Sequence, residues 1–240
     1  MPTRTEKFDS ASLVGFNEHR RHAWIAEMAA IVPAGSRVLD MGAGQTPYRD
    51  LFAHCTYEAQ DFGQYHGTSE GLMIDAFRYG RIDHVSDITD VPVEDATFDV
   101  ILLTEVLEHV PDPPAALREA GRILRPGGTL FASAPLGSGL HQEPFHFYGG
   151  FTPHFYRRFL DEAGLDVVSI TPNGGFFRHL AQEIDRAIAI LLEHRRRRTP
   201  LRSVLRVARQ IAPRWLTKLD DEIPIDEFTV GYFVVARRRA

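Results

Sequence analysis

Cysteine is nearly missing from this 240-residue chain: Cys55 stands alone, so no disulfide can form within it. Long apolar runs are missing as well. No stretch reaches the ~20 apolar residues that span a bilayer. The opening Met1-Pro2-Thr3-Arg4-Thr5-Glu6-Lys7 has no apolar centre of the kind a secretory signal needs. Internal repeats are absent, and the only low-complexity run is Arg195-Arg196-Arg197-Arg198. These absences point to a cytoplasmic protein held together by its core. With 44% hydrophobic and 25% charged residues, the composition suits an ordinary globular chain.

Acids are missing from one long stretch. Between Glu193 and Asp220 lie Arg195 to Arg198, Arg202, Arg206, Arg209, Arg214 and Lys218, with no carboxylate among them. That removes nine of the 27 cations and leaves 18 against 32 acids elsewhere. Charge segregated in this way usually faces something. An anionic membrane surface or a phosphorylated substrate suits the segment from Arg195 to Lys218, and nucleic acid is not the expected partner. The alternative is a solvated helix face that balances an acidic protein.

What is present alternates strand and helix. Apolar runs at Arg37 to Asp40, Thr56 to Asp61, Ile82 to Ser86, Phe98 to Leu103, Thr129 to Ala134, Leu165 to Thr171 and Thr229 to Ala236 read as strands. Helices are expected at Phe16 to Ile31, Tyr48 to Ala53, Pro114 to Leu124, Pro153 to Ala163, Phe176 to Glu193 and Leu201 to Ala212. This order predicts an α/β fold, a mostly parallel sheet with helices on both faces. Three parts are expected: an N-terminal helical segment over 1–35, a ligand-binding domain over 36–172 and 229–240, and a basic helical cap inserted over 173–228.

The first strand runs through Asp40 into Gly42-Ala43-Gly44, a turn that lets a ligand approach the backbone. A dinucleotide site wants a third glycine where Pro47 stands, and Asp40 would repel a pyrophosphate. S-adenosylmethionine (SAM) carries no phosphate, and its amino group and sulfonium are cationic. Asp40 suits that amine. Asp61 ends the second strand, where it can take two ribose hydroxyls. Asp87 ends the third, where its carboxylate and the Ile88 N–H can meet the adenine. Each acid alone reads as a helix cap or loop charge; three at successive strand ends favour a ligand.

In combination, Val38-Leu39-Asp40-Met41-Gly42-Ala43-Gly44, Phe98-Asp99-Val100-Ile101 with Glu105-Val106-Leu107-Glu108-His109-Val110-Pro111-Asp112-Pro113, and Leu124-Arg125-Pro126-Gly127-Gly128 resemble the motifs of class I SAM-dependent methyltransferases. The resemblance covers residues 36 to 172 and the last strand. It implies a Rossmann-like seven-stranded sheet with the last strand antiparallel, SAM as methyl donor, and cofactor contacts from Asp40, Gly42, Ala43, Gly44, Asp61, Asp87, Ile88 and Thr104. Thr46 departs from it, standing where many members have a third glycine.

Candidate catalytic residues lie after the fifth strand. His141, Glu143, His146 and Tyr148 share one loop and suit proton abstraction from an acceptor. The bland alternative is that they only shape a pocket. Glu105, Glu108 and His109, completed by His141 or His146, also suit a divalent metal. That resembles the metal-dependent 2'-O-methyltransferases of small-RNA ends and the ubiquinone-pathway catechol O-methyltransferases. The leading expectation is methyl transfer to an oxygen or nitrogen of a small-molecule acceptor. Alternatives are the metal-assisted version on a catechol, diol or RNA 3' end, and a SAM-binding protein without catalysis. Location at a membrane periphery would follow if the basic segment meets lipid.

Overall fold

The computed structural model describes residues 16–65, 77–194 and 200–240. Within them lie α1 (Phe16–Ile31), β1 (Arg37–Met41), β2 (Thr56–Asp61), β3 (His84–Val85), β4 (Phe98–Thr104), α2 (Pro113–Ile123), β5 (Leu124–Pro135), α3 (Pro153–Glu162), β6 (Leu165–Pro172), α4 (Phe176–His194), α5 (Pro200–Glu222) and β7 (Gly231–Arg238). The seven strands form one sheet in the order β3-β2-β1-β4-β5-β7-β6. β1 pairs in parallel with β2 and β4, β4 with β5, and β2 with β3; β7 runs antiparallel to β5. The expected Rossmann-like sheet with its antiparallel last strand is therefore the one observed.

The chain divides into two compact units: residues 21–171 with 231–240, and residues 1–20 with 172–230. The division falls within α1, between Arg20 and Arg21.

In the sheet unit, β4 is central. Its Phe98, Ile101, Leu102 and Leu103 are fully buried because both sheet faces are covered. One core layer joins Leu39, Ile101 and Leu103 to Leu117, Ile123 and Leu160; the other joins Val38, Val100 and Leu102 to Ile25 and Phe52. Trp24 of α1 stacks on Phe233 of β7 at 4.6 Å. α2 starts where Asp112 accepts the Ala115 N–H at 3.0 Å and Pro113 occupies a position whose N–H would have no helical partner.

Some elements differ from expectation. The third strand is only His84–Val85, and Tyr48 to Ala53 gives one 3₁₀ turn, Arg49–Phe52. β5 begins five residues early, at Leu124, because Leu124 already pairs with Phe98; the residues between it and Thr129, with Gly127 at φ +78°, bulge before the ladder resumes at Val100. α5 runs ten residues past Ala212, through Pro213. Proline lacks the N–H that bonds back to the preceding turn. The helix continues because its buried face does: Pro213, Leu216, Thr217 and Asp220 all point inward, and the Thr217 hydroxyl donates to the Pro213 carbonyl at 2.7 Å.

In the helical unit, the Asp220 carboxylate on α5 caps α4. It accepts the N–H groups of Gly175, Phe177 and Arg178 at 3.1, 3.1 and 3.2 Å and the Arg178 guanidinium at 3.1 Å. Asp185 and Arg209 clasp the same two helices at 2.6 Å. The expected basic stretch Arg195 to Arg198 lies outside the described residues, as does the start of the expected N-terminal segment. No helix among the described residues is long and apolar enough to cross a membrane. Removing Asp220 would leave three N–H groups without their acceptor and the buried Arg178 guanidinium with only the half-exposed Asp221, 2.7 Å away. Urea unfolding of Asp220→Ala should show a loss of about 3 to 5 kcal/mol. Asp221→Ala, at the more open end of the same pair, should lose no more than about 1 kcal/mol; equal losses would refute the buried-cap account.

Candidate active site

The end of β1 bends because Gly42 and Gly44 take left-handed backbone, φ +72° and +49°. A Cβ on Gly42 would sit 2.6 Å from both Val106 methyls, so Gly42 also lets the segment after β4 press against the turn. Thr46, in the place of the third glycine, keeps glycine-like geometry at φ +55°. It lies against Gly80, whose N–H donates to the Gly44 carbonyl at 3.0 Å.

Asp61 fixes this turn. One carboxylate oxygen accepts the Gly44 N–H at 2.9 Å and the other accepts the Gly63 N–H at 3.0 Å. The Tyr79 hydroxyl also bonds this carboxylate, and the acceptor capacity that remains suits a ligand diol. Gln60 helps: it accepts the Gly42 N–H at 3.2 Å and donates to the Ser86 carbonyl at 2.8 Å. Sequence reasoning missed Gln60, since a neutral amide inside a strand carries no motif.

Asp40 lies deeper than the sequence suggested. It is 1% exposed, and its carboxyl accepts a hydrogen bond from the Tyr57 hydroxyl. A ligand amine therefore has no direct access to it in this state. Burial pushes its pKa up to about 7, against the Tyr57 hydrogen bond and with help from the nearby Asp61 charge. Asp87 is exposed and accepts the N–H and hydroxyl of Thr89 through one oxygen, while Ile88 beside it is buried. Thr104 bonds to the Tyr48 hydroxyl.

After β4 the chain turns sharply at Glu105, a non-glycine residue at φ +53°. Its carboxylate is held by the Ser133 hydroxyl at 2.7 Å and by Arg21 at 3.3 Å. Leu107–His109 forms one 3₁₀ turn. Glu108 is fully buried, its Oε2 has no hydrogen-bond partner, and burial raises its pKa well above the ordinary carboxyl value.

The 137–149 loop folds over this turn. The Phe147 and Tyr148 N–H groups donate to the Glu108 carbonyl at 2.9 and 3.2 Å. His109 Nδ1–H donates to the Phe145 carbonyl at 2.6 Å, leaving its Nε2 lone pair open. Burial lowers the His109 pKa to about 4, so the ring is neutral. His141 likewise gives Nδ1–H to the Gly139 carbonyl at 2.8 Å. The rings of His109, His141 and His146 lie together, with centroids 4.8 Å apart for the first two and 4.5 Å for the last two. His146 meets the Ser138 hydroxyl at 3.2 Å, and burial lowers its pKa too. Glu143 is exposed beside it.

Two expectations shift. The Tyr148 hydroxyl donates to the Pro111 carbonyl at 2.9 Å, which makes it a loop fastener rather than an open base. The potential metal donors are Glu108, His109 and His141, all within 4.8 Å of one another. Glu105 is turned to Arg21 and Ser133 instead.

A family model described as a methyltransferase domain matches residues 16–170. The ubiquinone biosynthesis O-methyltransferase of Xanthomonas axonopodis pv. citri is 33% identical over 115 residues, 44% of this chain and 45% of that protein. The sarcosine/dimethylglycine N-methyltransferase of Halorhodospira halochloris is 29% identical over 150 residues, 56% and 53% of the two chains. The chain thus spans about half the length of the curated relatives it matches. Among solved structures, the Haemonchus contortus phosphoethanolamine N-methyltransferase 2 in complex with SAM gives a TM-score of 0.54 at 16% identity, covering 92% of this chain and 52% of that one. The [4+2]-cyclase SpnF gives 0.57 at 16% identity, covering 90% and 81%. Those two are likenesses of fold alone, and the second bears the name of a cyclase.

The raised Asp40 pKa has a sign that can be checked. Folded protein holds this proton more tightly than unfolded chain, so the contribution is full below the ordinary value of 3.8 and is lost as pH rises to about 7. Urea midpoints of Asp40→Asn should therefore gain on wild type by an amount that grows across that range. A difference independent of pH would mean that Asp40 titrates in the folded protein as it does in the unfolded chain.

Proposed function

The chain belongs to the methyltransferase family, and on that premise we propose that it is a SAM-dependent enzyme methylating an oxygen or nitrogen of a small molecule. The observation that carries this reading is the cluster of three imidazoles, His109, His141 and His146, tied to the glycine turn through Val106. When bound, SAM supplies an electrophilic methyl on a sulfonium, displaced in line by the acceptor. The rest falls to the protein. Gly42 and Gly44 give a ligand close approach to backbone, and Asp61, fixed by two N–H groups, offers its remaining lone pairs to the ribose. Asp87 and Ile88 stand where an adenine edge would be read. Asp40 acts on the ligand ammonium at one remove, through water or Asp61.

The acceptor must shed a proton as it is methylated. His141 is best placed to take it: its Nδ1–H is anchored, so Nε2 presents a lone pair, and the adjacent rings are neutral. His146 stands behind it. Replacing His141 by Ala should lower kcat by about a hundredfold or more while leaving S-adenosylhomocysteine affinity unchanged. Methyl transfer to phenol, catechol and amine panels, followed by S-adenosylhomocysteine release, checks this. Unchanged turnover in both His141→Ala and His146→Ala would remove the loop from the chemistry.

A second reading has its own observation. Glu108, His109 and His141 converge within 4.8 Å, and Glu108 keeps a buried carboxyl oxygen without a partner. Both histidines are oriented through Nδ1 as metal-bound imidazoles usually are. These residues fit a divalent ion, which would lower the pKa of an adjacent acceptor hydroxyl. Titration with Mn²⁺ should then give a saturable heat that disappears in Glu108→Gln. No heat with Mn²⁺, Mg²⁺ or Zn²⁺ would leave the imidazoles as the base.

A further inference from the structure

α5 turns an apolar stripe outward. Val204, Val207, Ile211 and Trp215 are 62%, 54%, 61% and 61% exposed. At about 100° per residue they share one sector of about 80°, and they extend about 17 Å along the axis. With Ala208 and Ala212 they line a shallow groove of about 560 Å³. Core formation does not account for them. The opposite face of the same helix, Pro213, Leu216, Thr217 and Asp220, is the one that packs.

The charge around the stripe selects its partner. Lys218 continues the same sector one turn on and Arg214 borders it; Glu222, at the very end of the helix, is the first acid to return to that sector. No acid occurs between Glu193 and Asp220. Arg209, which points the other way, is already neutralised by Asp185. A second copy of the stripe would bring cations against cations. An anionic surface with an apolar interior satisfies both features: the stripe enters the acyl boundary, Trp215 sits at headgroup depth, and the cations stay among phosphates. The chain here is amphipathic and interfacial rather than spanning.

We propose that α5 is a membrane-surface helix that docks this protein on anionic lipid bilayers through Val204, Val207, Ile211 and Trp215. This goes beyond the reading of the active site and does not depend on it.

Vesicle flotation of the full chain tests it, with phosphatidylcholine alone and with phosphatidylcholine mixed with phosphatidylglycerol. The protein should float with the mixed vesicles, weakly or not at all with the neutral ones, and less as salt rises. Arg214→Ala and Lys218→Ala should each lower partition by about fivefold. Ile211→Glu should abolish flotation while melting like wild type, which its exposed position favours. Failure to float with the mixed vesicles, or equal binding to neutral ones, overturns the proposal. So does a concentration-dependent dimer in sedimentation that Ile211→Glu dissolves, since the stripe would then serve a second copy.

Discussion

The carboxylate of Asp61 joins the turn after β1 to the turn after β2, beside the bonds that Gln60 makes to Gly42 and Ala43. By taking one N–H from Gly44 and another from Gly63, it fixes the end of β2 to the turn after β1. An asparagine there would present an amide N–H to one of those donors, so the geometry needs a carboxylate. The turn it steadies is in contact with Val106, and Val106 precedes the 3₁₀ turn that carries Glu108 and His109. His109 in turn holds Phe145 in the loop of His141 and His146. The glycine turn and the histidine cluster are thus linked through a short chain of contacts.

Two buried carboxyls near this path carry unusual protonation for the same reason. Asp40 and Glu108 are both withdrawn from water, and desolvation is the first cause of the upward shift in each. Such groups are sensitive to a cation placed nearby, which favours the ionised form. Asp40 would meet a cationic ligand near the glycine turn, Glu108 a metal ion beside the histidines. Both carboxyls lie where the family resemblance expects chemistry, while the buried Asp220 of the helical unit is paired with Arg178.

The legible parts of the sequence were those with a strong period or a motif. α1 and β2 have the bounds read from their residues, and the glycine turn with Asp61 is where Val38 to Gly44 implied. Side-chain direction was less legible. Asp40 precedes the first glycine, yet strand alternation turns its carboxyl inward to Tyr57 rather than onto the turn. Tyr148 has a base's chemistry on paper, but its hydroxyl is spent on Pro111, a partner 37 residues away. Glu105 fits a metal pattern by spacing alone; a left-handed backbone and the Arg21 and Ser133 partners turn it aside. Pro213 read as a helix end because the buried face beyond it depends on Asp220 meeting α4, a tertiary fact.

The central claim is that SAM binds at the turn that Asp61 steadies. Calorimetric titration with S-adenosylhomocysteine, on wild type and on Asp61→Ala of matched melting behaviour, tests it most directly. The account predicts a saturable one-to-one heat for the wild type and its loss in the variant. No heat from wild type, or equal binding by both proteins, would contradict it.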